Sequence, residues 1–251
     1  MKRLLAISLL NFIKATREGI FVGVLFLFLF LLGASFFLSI LSIGEGPRVL
    51  FNAGLSAIEI SAFLLLIFSL TFGFYGEKGE RMLEIYLSYF PEYVYTASKF
   101  LAYVLLCLFY LLIAGLLFSF TLLSNYALIW QMWAGLYTIF LKTAIFIGVN
   151  LLFCTLLDSA PLALLSTIFI YASSQMASQA VKIIALSQSA ALKGFFQFLY
   201  YLLPNLDKMD IKYLLMYGEP VHTAFFAAIF AYSLIYCLFL WAVSTLAFSR
   251  R

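Results

Sequence analysis

The run IFVGVLFLFLFLLGASFFLSILSI, residues 20–43, holds no charged side chain. It is long enough to cross a bilayer core as one helix, for which about 20 apolar residues suffice. Five further apolar runs follow it, at 54–75, 98–123, 128–157, 161–181 and 221–248. In lipid every backbone N–H and C=O must be satisfied within the protein, and these runs are too long and too uniformly apolar for barrel strands, so helices are expected. The chain as a whole agrees: 251 residues, 65% hydrophobic and 10% charged, with a mean hydropathy of +1.09. Average soluble chains carry roughly a quarter charged residues, so a water-soluble domain is excluded. The expectation is an all-α polytopic membrane protein, a single domain over 1–251 with six transmembrane helices. Met1, Lys2 and Arg3 look like a signal-peptide start, but the first apolar run is too long for a signal core, and no cleavage is expected.

Six spans put both termini on one side. With that side cytoplasmic, nine Lys and Arg residues fall in inner segments and five in outer ones, with Lys142 left inside a span. This asymmetry favours cytoplasmic termini. The net charge of +4 is modest and sits beside helix ends, where anionic headgroups of membrane lipids account for it and nucleic-acid binding is excluded. Trp130, Trp133, Tyr200 and Tyr201 suit an outer interfacial belt. The connections near Asn125 and Asp158 are tight, whereas 76–97 and 182–220 are long, and function is expected in the long ones.

Residues 2–18 read as an amphipathic surface helix. Ser8, Asn11, Lys14 or Ala15, and Glu18 recur at three-to-four spacing, with Leu5, Leu9, Phe12 and Ile13 on the other side. Lys14 and Arg17 reach headgroups, and the helix is either an anchor or a working element. In residues 76–91, GEKGERMLEIYLSYFP, Glu80, Glu84 and Ser88 stack at i, i+4 and i+8, while Leu83, Leu87 and Phe90 form an apolar edge and Pro91 halts the helix. Charge at its start, Arg81 included, and a hydrophobic rib fit insertion into a groove on a soluble partner. A helix lying on the bilayer with its charges solvated is the other reading.

The order of an acidic and basic start with Gly79, then Leu83-Glu84, Leu87-Ser88, Pro91 and Lys99-Phe100-Leu101, resembles the coupling-helix region of type-two ABC exporter permeases. Arg48-Val49, Asn52-Ala53-Gly54-Leu55 and Leu203-Pro204-Asn205-Leu206-Asp207-Lys208 resemble the branch that includes the permease for nitrous oxide reductase maturation. The likeness extends over nearly the whole chain and departs from the family pattern at Met82, Glu92 and Ser98. It implies a plasma (inner) membrane half-transporter: two six-span permeases, a homodimer, on two ABC ATPase subunits. The elbow helix at 2–18 and the cytoplasmic coupling helix at 76–91 would rest on the ATPase, through Glu80, Arg81, Leu83, Glu84, Leu87 and Phe90. Short outer helices in 182–220, broken at Pro204 and Asn205, would close the path, though a plain interfacial lid fits this segment as well. The chain has no GxxxxGK[ST] phosphate loop, so ATP and Mg are expected on the partner and no cofactor on this chain.

Within the spans, a charge near the bilayer centre costs roughly 3 kcal/mol, so Lys142 should face protein or water. Glu59 lies near enough in depth to pair with it. An ion pair holding two spans together, a polar lining and a protonatable relay are all open. The fifth run carries a stripe of Tyr171, Ser174, Gln175, Ser178, Gln179 and Lys182, suited to interhelical bonding or to lining a path. Cys107, Cys154 and Cys237 read as buried hydrophobes, and neither they nor His222 form a metal site. The competing function is an ion-coupled secondary carrier or channel using Glu59 and Lys142. An intramembrane enzyme ranks below both, because no span shows a GxSxG, HExxH or paired-aspartate arrangement.

Overall fold

The computed structural model describes residues 2–80, 82–122, 126–176, 203–217 and 221–249, with positions 193, 194, 197 and 200 between them. Among these residues all regular structure is helical. The helices are α1 (Lys2–Arg17), α2 (Gly19–Leu41), α3 (Gly46–Gly79), α4 (Met82–Tyr89), α5 (Glu92–Thr121), α6 (Tyr126–Leu156), α7 (Ala160–Gln175), α8 (Lys212–Met216) and α9 (Thr223–Ser249). Five of them, α2, α3, α5, α6 and α9, are long and apolar enough to cross a membrane. The span expected at 161–181 corresponds to α7, which has 16 residues and a C-cap at Met176 and is not among these five; positions 177–181 lie outside the described residues. Multi-pass membrane architecture follows.

Helix ends fall where backbone chemistry places them. Pro47 and Pro161 stand in the first turns of α3 and α7, where a missing N–H costs nothing. Pro91 caps the start of α5. The α2–α3 turn passes through Gly44 at φ +82°, a left-handed conformation that a Cβ disfavours. At 34 residues, α3 is about 51 Å long. It therefore overruns a hydrocarbon core of about 30 Å. Glu77, Lys78 and Gly79, expected as the charged start of the helix at 76–91, are thus the last turn of α3, and the separate short helix begins only at Met82.

Tertiary contacts fix the directions. On α3 and α6, Glu59 meets Lys142, Thr71 meets Asn150 and Tyr75 meets the carbonyl of Leu157, so the two helices run parallel. Tyr110 to Ser61, Tyr103 to Ser69 and Tyr95 to Glu77 make α5 antiparallel to α3. Ser233 to Leu141 sets α9 alongside α6. The chain thus reverses direction between α3 and α5 and again between α5 and α6. Its near end carries α4 together with the close of α9, where Phe248 stacks on Tyr95. The far end carries 203–217.

Most of α3 and α6 is buried, while α2 and α9 turn Phe26, Phe30, Phe37, Ile235 and Phe239 outward. This inverted surface is what a lipid-facing helix needs, because acyl chains solvate apolar side chains. Helix α1 is inverted in the same sense: Ser8, Asn11 and Ala15 are buried, while Leu5, Leu9 and Leu10 are exposed. Close helix approach depends on Gly54, where a Cβ would come within 2.3 Å of the Phe118 ring.

Candidate functional site

Two buried charge clusters lie on α3. Glu59 and Glu77 are separated by 18 positions, which is five helical turns and about 27 Å, so they share one face of the helix.

At the far end, Glu59 and Lys142 are 3% and 1% exposed, and Lys142 Nζ donates to Glu59 Oε1 at 3.1 Å. The pair joins α3 to α6, as the sequence suggests. Two further charges come from the 203–217 segment. Lys212 Nζ bonds the other carboxylate oxygen of Glu59 and donates to Ser56 Oγ at 3.2 Å. Asp210 Oδ2 lies 3.5 Å from Lys142 Nζ. Gln175 of α7 donates to Glu59 at 3.4 Å and to Tyr171 at 3.0 Å, while the Tyr171 ring stacks on Phe63. Two carboxylates and two ammoniums make the set neutral. An ion pair in so dry a place survives only when its remaining lone pairs and protons are also satisfied. Gln175 and Ser56 meet that need.

Ser174 is buried and its hydroxyl has no partner among the described residues, while Ser178, Gln179 and Lys182 lie outside them. Pro204 and Asn205 are buried. The Asn205 backbone N–H donates to Tyr232 at 3.0 Å.

The near-end cluster was not anticipated. Glu77, 2% exposed, accepts from Lys99 Nζ at 2.5 Å and from Tyr95 Oη at 2.8 Å. Lys99 Nζ also donates to Asn11 Oδ1 at 3.1 Å, and Lys14 Nζ stands 3.9 Å from Glu77. Helices α1, α3 and α5 are thereby tied together next to α4. A signal was present: Tyr95 and Lys99 are four apart on one helical face, and Glu77 repeats the phase of Glu59. Between the clusters, Asn150 accepts from Thr71 at 3.1 Å and from Thr167 at 3.2 Å, joining α3, α6 and α7.

The short helix α4 turns two faces in different directions. Leu83 and Leu87, with Phe74, Phe248, Lys78 and Asp158, line a cleft of about 520 Å³ in the near end. Met82, Ile85 and Tyr89 are exposed, as are Glu80 and Glu84. Phe90 is half-buried, and Arg81 is outside the described residues. The expected apolar edge of Leu83 and Leu87 therefore faces the chain's own cleft, and the outward apolar residues are one position away on the helix. On α1, Lys14 and Arg17 are exposed. Glu18, where α1 meets α2, has its carboxyl pushed above the usual range by burial, against the pull of Lys14 and Lys99. The three cysteines are free and buried, and no metal-ligating group of three or more occurs among the described residues.

In comparisons with protein-family models and with curated proteins, nothing matches this chain.

Proposed function

We propose that this chain is the membrane-spanning permease subunit of an ATP-driven exporter. In this reading it sits in the plasma membrane with both termini and α4 on the cytoplasmic side. Two copies form the path, and ATP and Mg bind two copies of a separate ATPase. The observation that carries the reading is α4: a short helix stepping off the longest buried helix, with Met82, Ile85 and Tyr89 exposed outward and Leu83 turned into the chain's own cleft. Such a helix is held on one side and offers an apolar ridge on the other, as helix-in-groove docking needs. Movement of α4 passes directly into α3 and α5, which flank it. The near-end cluster carries the same movement to α1.

The far-end charges favour a second reading, an ion-coupled carrier in which Glu59 and Lys142 change partners during transport. The two readings differ in fuel. Affinity purification from the native membrane should bring down an ATPase carrying a phosphate loop, and liposomes holding both proteins should transport only with ATP. Transport by the purified chain alone, driven by an ion gradient and without nucleotide, would replace the first reading with the second.

A further inference from the structure

The far-end cluster divides into two parts of opposite character. Glu59 and Lys142 belong to the bundle, on α3 and α6, and are buried. Asp210 and Lys212 belong to the 203–217 strap. They stand two residues apart, with the Lys212 backbone N–H bonded to Asp210 Oδ1 at 3.2 Å, and Asp210 sits at the water-facing rim. Each part is neutral alone. The strap can therefore leave without stranding an unpaired charge in the bundle, the circumstance that makes breaking a buried ion pair so costly.

The strap also has the form of a ligand. It brings one anion to Lys142 and one N–H-bearing ammonium to Glu59 and Ser56. Around these charges it buries apolar side chains, Leu206, Met209, Ile211 and Leu215. An ammonium and an anion a few atoms apart, with apolar bulk beside them, is the chemistry of an amphiphile with a zwitterionic head.

We propose that Glu59 and Lys142 form a binding site for a zwitterionic phospholipid bearing a primary ammonium, and that Asp210 and Lys212 occupy this site as an internal substitute. The anionic phosphate takes the place of Asp210 against Lys142. The ammonium takes the place of Lys212 between Glu59 and Ser56. Acyl chains follow the grooves filled by Leu206, Met209 and Leu215. Ammonium N–H groups are required, so phosphatidylethanolamine fits, whereas phosphatidylcholine lacks donors and phosphatidylglycerol lacks the cation. The site does not depend on what powers the chain, so its failure leaves the permease reading untouched.

The test uses the full chain in nanodiscs of phosphatidylcholine doped with phosphatidylethanolamine or phosphatidylglycerol, with retained lipid read by native mass spectrometry. Asp210→Ala with Lys212→Ala should retain phosphatidylethanolamine in preference to both other lipids. Adding Glu59→Gln should weaken retention roughly tenfold or more, as losing a charge-assisted hydrogen bond does. Equal retention of the three lipids, or indifference to Glu59→Gln, overturns the proposal. Displacement by free phosphoethanolamine at equal concentration also overturns it, since the site would then recognise a soluble zwitterion. Should the alanine pair fail to fold, Asp210→Asn with Lys212→Gln preserves volume. As a second measurement, a Met209→Cys chain otherwise unaltered should react faster with maleimide in phosphatidylethanolamine than in phosphatidylcholine. An unchanged rate counts against the proposal.

Discussion

Glu59 bonds two lysines, whereas Lys142 bonds two carboxylates of which one, Asp210, is at the rim. The two ends of this pair are therefore unequal. Removing Lys142 leaves Glu59 with Lys212, and Asp210 can turn to water. Removing the Glu59 charge leaves buried Lys142 with only the rim carboxylate of Asp210 and takes from Lys212 its carboxylate partner among the described residues. Glu59→Gln should cost about 3–5 kcal/mol, the range for a broken buried pair, and Lys142→Met distinctly less. The double substitution should recover most of the loss, because Asp210 and Lys212 then form a neutral pair of their own. Unfolding of the four proteins in detergent measures this, and equal single costs would contradict the geometry. At Glu18 the sign is different. Its carboxyl is raised in the folded chain by burial, so the folded state holds its proton more tightly than the unfolded one and stability falls as pH rises through that window. Glu18→Gln should stabilise at neutral pH, and the gain should fade on acidification below the ordinary Glu value. A thermal melt series across pH checks both halves.

At the scale of the element, α4 has one apolar face in a cleft and another exposed. Leu83 is half-buried and lines a cleft shared with Phe74, Phe248 and Asp158, so Leu83→Asp should destabilise the fold by setting a carboxylate among apolar side chains and beside another carboxylate. Met82 and Ile85 are exposed, and aspartate there should leave stability within about 0.5 kcal/mol while, under the permease reading, abolishing recovery of an ATPase in a pull-down. Retained recovery would mean that α4 is not the contact. Sequence periodicity made the helix legible because Pro91 and the charged start bracket it. Its rotation was not legible: eight residues are barely two turns, and half-buried and exposed apolar positions look alike until a neighbour is placed. Five of the six expected spans were legible for the opposite reason, since uninterrupted apolar runs admit only one backbone solution in lipid. In sequence Glu77 and Lys78 look like the charged start of the short helix, whereas they close α3 and Glu77 is buried against Lys99, 22 positions on. The Glu59–Lys142 pair was readable since both charges interrupt apolar runs at similar depth, whereas Asp210 and Lys212 stand in a polar segment with no periodic signature.

Across the whole molecule, polar layers at both ends and at Asn150 fasten a bundle whose outer face is apolar. Under the permease reading, breaking the near-end cluster should impair transmission even in chains that still assemble. With Glu77→Gln, Lys99 keeps Asn11 as a partner but loses its counter-charge, and α1 should loosen from α3 and α5. Under the permease reading, ATPase recovery through α4 should persist while ATP-driven transport in liposomes falls. Parallel loss of both would place Glu77 in the docking surface itself. The spacing of the far-end pair carries one more consequence. Glu59 precedes Lys142 by 83 positions, so the ribosome delivers the acid well before its counterpart, by roughly 4–17 s at ordinary synthesis rates. Throughout that interval the nascent third helix must linger in the translocon or beside an insertase, and maturation of this protein becomes a matter of timing as much as of hydrophobicity.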